Sequence, residues 1–155
     1  MSGAMQWNGT KLADRFVFDN ADDRLDFVMA GGGDDFISDG GDDHYWSSDV
    51  FRGQLGNDTL ISNDGNDVLH GGRGDDTFEV QLGWYDPADL QFPVPGVEHG
   101  QIGFDVEVFG GRGWDRLTIS NSEGATIEYD GDDLIIHSVY GGKVTIHGIE
   151  EFDFV

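Results

Sequence analysis

The sequence has no cysteine and few basic residues, and both shortages exclude classes of function. Without cysteine there is neither a disulfide nor a thiolate metal site. The 155 residues carry 8 basic against 31 acidic side chains, a formal net charge of −23. Such a chain has no basic patch that could neutralise phosphates, so we exclude a nucleic-acid partner. No apolar run approaches the roughly 18 residues that a spanning helix needs, so we expect no membrane span.

What the chain does contain predicts a single folded domain with bound cations. An acidic excess of this size is typical of disorder, but 37% hydrophobic residues and eleven phenylalanines favour a packed core. The negative charge therefore indicates cations. We interpret residues 1–8 as a lead-in that starts with a cloning remnant, because MSGAM lacks the apolar core of a signal peptide.

Three consecutive nonapeptides fill residues 53–79 and read GQLGNDTLI, SNDGNDVLH and GGRGDDTFE. Each has glycine at its fourth place, aspartate at its sixth and a large apolar residue at its eighth. The third is a full match to the pattern G-G-x-G-x-D-x-U-x. Glycines let the backbone curl and turn carbonyl oxygens inward, and the last three residues suit a short strand. Oxygen ligands alone favour a hard cation of calcium size.

On these residues the chain resembles the RTX (haemolysin-type) calcium-binding repeat family. The resemblance implies an all-β fold, a right-handed parallel β-roll in which each repeat stacks on the next but one. It also implies several Ca²⁺ ions between stacked turns, each held by an aspartate from either turn and by turn carbonyls. Carboxylates stacked roughly 5 Å apart repel by about 1 kcal/mol in water, so such a ladder opposes folding without cations.

Four further blocks precede the central three, at 9–17, 18–26, 30–38 and 39–47. Three of them place an aspartate at the sixth position, namely Asp14, Asp23 and Asp35. The fourth has His44 there, a poor calcium ligand, so we expect either a gap or substitution by Asp42 or Asp43. Residues 48–52 are interpreted as an insertion at the edge of the coil.

Residues 80–99 break the pattern and hold all three prolines. Because proline cannot donate to a strand ladder, we interpret this stretch as an irregular excursion from the roll. Trp84 and Tyr85 on it are a candidate platform for a carbohydrate or protein ligand, the alternative being that they fold back onto the roll.

Two blocks follow the excursion. The block at 100–108 is degenerate, with Asp105 at the sixth place and Glu107 where an apolar residue belongs. The block at 110–118 restores the full pattern with Asp115. We expect a β-roll over 9–118 and, over 119–155, a cap of strands without a calcium turn. The final EEFDFV is either a last cap strand or a tail recognised by type I secretion systems.

The resemblance implies a metal-binding set of sixth-place aspartates and turn glycines: Asp14, Asp23, Gly31, Gly33, Asp35, Gly53, Gly56, Asp58, Gly65, Asp67, Gly72, Gly74, Asp76, Asp105, Gly111, Gly113 and Asp115. Asp58 should pair with both Asp35 and Asp76, and Asp67 with either Asp105 or Asp115. Eighth-place side chains should point inward: Phe16, Leu25, Ile37, Trp46, Leu60, Leu69, Phe78 and Leu117. Seventh-place side chains should point outward: Thr59, Val68 and Thr77.

No catalytic motif is present, since both H-E-x-x-H and G-x-S-x-G are absent. We therefore expect no enzyme. The resemblance implies a calcium-binding module of a secreted or cell-surface bacterial protein that folds on calcium after export. The alternative is a non-catalytic module, accessory to a secreted enzyme, that binds carbohydrate or a partner through residues 80–99.

Overall fold

The structure, a computed structural model, describes residues 4–18, 25–39, 48–83, 104–139 and 141–155. Their regular structure consists entirely of β-strands: β1 Met5–Asn8, β2 Arg15–Val17, β3 Asp26–Gly32, β4 Phe36–Ser38, β5 Val50–Leu55, β6 Thr59–Ser62, β7 Val68–Arg73, β8 Thr77–Gln81, β9 Asp105–Arg112, β10 Arg116–Ser120, β11 Thr126–Asp130, β12 Asp133–His137, β13 Lys143–His147 and β14 Glu151–Phe154. No described segment is a helix long and apolar enough to cross a membrane.

From β1 to β10 the strands alternate between two sheets as the chain advances, whereas β11, β12 and β13 all belong to the first sheet. Sheet A has the order β1-β3-β5-β7-β9-β13-β12-β11, and sheet B has the order β14-β10-β8-β6-β4-β2. From β1 to β10 every pairing within a sheet is parallel and joins a strand to the next but one. The chain therefore coils with two strands to a turn. This confirms the predicted all-β fold and parallel β-roll.

The core lies between the two sheets and is built from stacked eighth-place side chains. On sheet B, Leu60 pairs with both Ile37 and Phe78, and Phe78 pairs with Leu117. All four side chains are fully buried, as is Leu69 on sheet A. The seventh-place residues alternate with them and are only partly buried, because successive side chains of a strand point to opposite faces.

Two blocks of the N-terminal half lie in a different register from the predicted one. Leu25, expected inside, is 41% exposed, and Val28 takes its place with complete burial. Val28 pairs with Phe51, which pairs with Leu69. Residues 50–55 therefore form a core strand, and the prediction of an insertion at 48–52 is wrong. Residues 19–24 and 40–47, with Asp23, Asp42, Asp43, His44 and Trp46, lie outside the described residues.

The degenerate block after the excursion is offset by one residue. Leu69 pairs with Val108 and Val68 with Glu107, so Val108 occupies the inward eighth place and Glu107 faces outward. Val106 consequently stands at the sixth place. Asp105 stands at the fifth, where its backbone N–H donates to Asn66 Oδ1 at 2.8 Å.

Both ends of the chain extend the sheets. Residues expected as a lead-in contain β1, which pairs with β3. Near the other end, β11, β12 and β13 are antiparallel to one another, but β13 joins β9 in parallel and β14 joins β10 in parallel. Ile136 on β12 and Val144 on β13 are fully buried, whereas Tyr129 on β11 is 77% exposed. The final EEFDFV thus contains the last strand of sheet B.

Candidate metal centre

The turns that lead from sheet A to sheet B stack along one edge of the roll, which we term the regular edge. They comprise residues 9–14, 30–35, 53–58, 71–76 and 110–115, and each ends in its sixth-place aspartate. We call these aspartates the ladder: Asp14, Asp35, Asp58, Asp76 and Asp115. The register of the sheet-B strands places every ladder aspartate beside the next one.

A chain of hydrogen bonds orients the ladder carboxylates. The Oδ1 atom of each ladder aspartate after Asp14 accepts the backbone N–H of the aspartate one coil earlier. Asp14 donates to Asp35 at 2.7 Å and Asp35 to Asp58 at 2.8 Å. Asp58 donates to Asp76 at 2.8 Å and Asp76 to Asp115 at 2.9 Å. One oxygen of each carboxylate is therefore used by the fold itself.

The second oxygen of these carboxylates identifies the candidate metal site. The Oδ2 atoms of Asp35, Asp58, Asp76 and Asp115 are buried and make no hydrogen bond. A buried acceptor without a partner costs about 1–3 kcal/mol, and more when it is charged. A cation between successive turns would remove this penalty. The donor set, carboxylate and carbonyl oxygens, fits Ca²⁺.

The electrostatics of the ladder favour binding of a cation. Burial, and then the charge of neighbouring aspartates, raises the pKa of Asp58 to about 6 and that of Asp76 to about 7. Burial also raises the pKa of Asp35 and of Asp115, and the charge of Glu150 adds to the effect on Asp115. Without a cation these groups are pushed towards the protonated form, since the ionised form is poorly solvated.

Glycines bring the turns close enough to share an ion. A Cβ on Gly53 would collide with Asp58 Oδ2 of its own turn. Gly74 has a φ of 132°, and a Cβ on it would collide with the carbonyl oxygen of Gly56 in the preceding coil. Among the described residues, no group of three or more acidic or histidine side chains could hold a metal ion on its own. An ion between turns would therefore take its remaining ligands from backbone carbonyls. The other predicted turn glycines also have positive φ angles: Gly31, Gly33, Gly56, Gly65, Gly72, Gly111 and Gly113.

Asp14, at the N-terminal end of the ladder, differs from the others. It is only partly buried. Its Oδ2 accepts hydrogen bonds from the backbone N–H and the hydroxyl of Thr10. A bound ion would therefore stabilise Asp14 less than it would stabilise the inner members of the ladder.

The other edge of the roll, where the chain returns from sheet B to sheet A, carries a second row of sixth-place aspartates. We term it the opposite edge, and only its turn 62–67 is described in full. Asp26 donates its N–H to Asp49 Oδ1, and Asp49 donates to Asp67 Oδ1, both at 2.8 Å. Asp67 therefore stacks with Asp49, and its predicted pairing with Asp105 or Asp115 is wrong. Asp115 stacks on Asp76, and Asp105 is displaced by the offset of β9.

Side chains supply donors to the carboxylates at the opposite edge. Ser62 Oγ donates to Asp67 Oδ2 at 2.7 Å. Asp39, with no exposed surface, accepts from Asn63 N at 2.7 Å, Asn63 Nδ2 at 2.9 Å and Asp64 N at 3.3 Å. Burial raises the pKa of Asp39, and burial together with the Asp39 charge raises the pKa of Asp67 well above its ordinary value.

Sequence reasoning missed Asp26, Asp39 and Asp49. The signal for two of them was present, since Asp26 and Asp49 each precede a buried apolar residue by two positions. Counting strictly in nines from the preceding block hid that spacing. Asp39 follows β4 and has no counterpart in the nonapeptide pattern. Trp84 and Tyr85 lie outside the described residues, so a ligand site on the excursion stays a prediction.

A comparison with protein-family models agrees with the repeat pattern. Residues 20–48 and 45–78 match the family model of the RTX calcium-binding nonapeptide repeat in its four-copy form. The solution structure of the AlgE6R3 subunit of the mannuronan C5-epimerase from Azotobacter vinelandii is similar, with 21% identity over 90% of this chain and 73% of that chain and a TM-score of 0.32. No curated protein sequence matches this chain.

Proposed function

The chain carries the calcium-binding nonapeptide repeats of the RTX family, and from this premise we propose that it is a β-roll module whose folding requires calcium. The observation that carries the proposal is the row of buried, unpartnered Oδ2 atoms on Asp35, Asp58, Asp76 and Asp115. Each faces a turn built from glycines, and none has a donor. Calcium ions between successive ladder turns would supply every one of them with a partner.

The charge of the chain supports coupling between folding and binding. With a formal net charge of −23, the compact state concentrates repulsion that the unfolded chain can disperse. Two carboxylates roughly 5 Å apart repel by about 3 kcal/mol at an effective dielectric near 20. Binding several cations along the ladder offsets this repulsion. The free energy of binding then becomes free energy of folding, because the unfolded chain has no preformed site.

The match of residues 20–48 and 45–78 to the RTX repeat family supports a location outside the cell. Extracellular calcium modules bind in the range of about 0.1 to 1 mM, far above the calcium level in a cytosol. A module of this affinity would stay loose before export and fold after it. We therefore propose a non-catalytic role in a secreted or cell-surface protein.

A calcium titration followed by far-UV circular dichroism tests the proposal. The chain in EDTA should give a largely disordered spectrum and gain β-structure as calcium reaches the millimolar range. Magnesium should not substitute, because it requires tight octahedral geometry and keeps its water ligands. A chain whose β spectrum is the same in EDTA and in calcium would overturn calcium-coupled folding.

A further inference from the structure

The turn between β13 and β14 continues the regular edge into the cap. Arg116 pairs with Glu151 and Leu117 with Phe152, as Arg116 pairs with Thr77 and Leu117 with Phe78 one coil earlier. This register places Glu150 at the sixth place, directly beside Asp115. The sequence predicted no calcium turn in residues 119–155, yet this turn lies on the regular edge.

Hydrogen bonds at this last step repeat those within the ladder. The backbone N–H of Asp115 donates to Glu150 Oε2 at 2.8 Å, as Asp76 donates to Asp115 Oδ1 at 2.9 Å. The N–H of Glu151 donates to the Asp115 carbonyl at 3.2 Å, as Arg116 donates to the Asp76 carbonyl at 2.9 Å. The cap turn is only residues 148–150, shorter than the turn 110–115. The additional methylene of glutamate carries the carboxylate to the position that an aspartate reaches from a longer turn.

The Asp115 carboxylate has one oxygen without a hydrogen-bond partner, as the carboxylates of Asp35, Asp58 and Asp76 do. Asp115 is completely buried, and its Oδ2 has no hydrogen-bond partner. A Cβ on Gly110 would collide with that oxygen and with the carbonyl oxygen of Gly148, so both oxygens lie beside Gly110. Glu150, which accepts the N–H of Asp115, is itself exposed. Carboxylate and carbonyl oxygens from two successive turns thus meet at one place.

We propose that Glu150 is a calcium ligand, and that with Asp115 and the Gly148 carbonyl it forms a terminal site between the last repeat and the cap. This inference rests on the calcium-binding function proposed above. It extends the ladder by one site, at the point where β14 is added to sheet B. An ion there joins the cap to the roll, so the final strand is held in place by calcium as well as by its backbone pairing.

A purely structural role for Glu150 makes a different prediction. If its carboxylate serves only to accept the N–H of Asp115, then Glu150→Gln should behave like the wild type, because the amide oxygen can accept the same bond. A calcium ligand needs the charge, and the charge of the ligand set tunes calcium affinity. Glu123→Gln is a matched control, since it removes the same charge from an exposed turn within the cap.

The test measures bound calcium by equilibrium dialysis and folding by circular dichroism for the wild type and both variants. At a calcium level that just saturates the wild type, Glu150→Gln should bind about one ion fewer per chain, while Glu123→Gln binds the full number. Equal binding by the two variants would overturn the terminal site and leave the ladder intact. A wild type that binds no calcium would overturn the proposed function itself.

Anomalous diffraction from calcium-grown crystals of the wild type covers the case in which Glu150→Gln does not fold. A calcium peak within ligand distance, about 2.3–2.6 Å, of both Asp115 and Glu150 supports the site. Calcium peaks between the ladder aspartates, with none between Asp115 and Glu150, would overturn the proposed terminal site.

Discussion

The regular and opposite edges of the roll use the same sixth-place aspartate in two chemically different ways. At the regular edge, one oxygen of each inner ladder carboxylate is buried without a donor. At the opposite edge, Ser62 donates to Asp67, and Asn63 and Asp64 donate to Asp39. The comparison teaches that a sixth-place aspartate alone does not fix the environment of its carboxylate. Under our proposal, a calcium site also needs a turn of glycines that leaves the second oxygen without a hydrogen-bond partner.

Replacing Asp58 with alanine should raise the calcium midpoint of folding the most, because Asp58 lies between two other ladder aspartates, Asp35 and Asp76. The variant removes a ligand from both neighbouring sites and leaves the backbone N–H of Asp35 without its acceptor. We expect the calcium midpoint of folding to rise about tenfold or more, equivalent to about 1.4 kcal/mol. Circular dichroism against calcium concentration measures it.

Asp14→Ala is the control for this prediction. Asp14 stands at the end of the ladder, and Thr10 already satisfies its Oδ2. Its midpoint should move much less than that of Asp58→Ala. Equal shifts in the two variants would show that the stacking order of the ladder is wrong.

Truncating the core should raise the calcium requirement without touching a ligand. Leu69 is fully buried between Phe51 and Val108, and Leu69→Ala should cost roughly 2 to 5 kcal/mol. Because folding and binding are one equilibrium, the loss should appear as a higher calcium midpoint. Thr59→Ala on the outer face should leave the midpoint nearly unchanged. If both variants shift it equally, the inner and outer faces are assigned wrongly.

The repeat pattern identified the sixth-place aspartates from Asp14 to Asp115, and the resemblance to the RTX family implied the roll and the stacking of each repeat on the next but one. The position of Asp115 beside Asp76 was not predicted. Strand pairing enforces the periodicity of the repeats, since apolar side chains must stay in register to stack. It does not constrain the turns. Leu25 and Asp105 were misplaced because the strand register makes Val28 and Val108 the inward-facing residues, which counting in nines from the preceding block does not give. The repeat pattern did not identify Glu150, because its turn is shorter than a nonapeptide turn and because glutamate stands where the pattern requires aspartate.

Removing charge should have opposite consequences at the two edges. Asp58→Asn keeps an acceptor for the N–H of Asp35 but weakens two calcium sites, so the midpoint should rise. Asp67→Asn removes a buried charge next to Asp39 and should leave the midpoint near that of the wild type or lower it. The same titration measures both. A rise for Asp67→Asn as large as that for Asp58→Asn would show that calcium also binds beside Asp67.

The smallest effect we predict is a gain of β-structure when the calcium-free chain is acidified. The pKa of Asp58 rises to about 6 and that of Asp76 to about 7 in the folded state, above the ordinary value of 3.8. A raised folded-state pKa contributes stability at low pH that is lost as the pH rises through 6 to 7. Circular dichroism in EDTA should therefore show more β-structure near pH 5 than near pH 7.5. Asp76→Asn should reduce this pH dependence, whereas the exposed Glu79→Gln should not. If the two variants respond alike, net charge governs the response, and burial of the ladder does not.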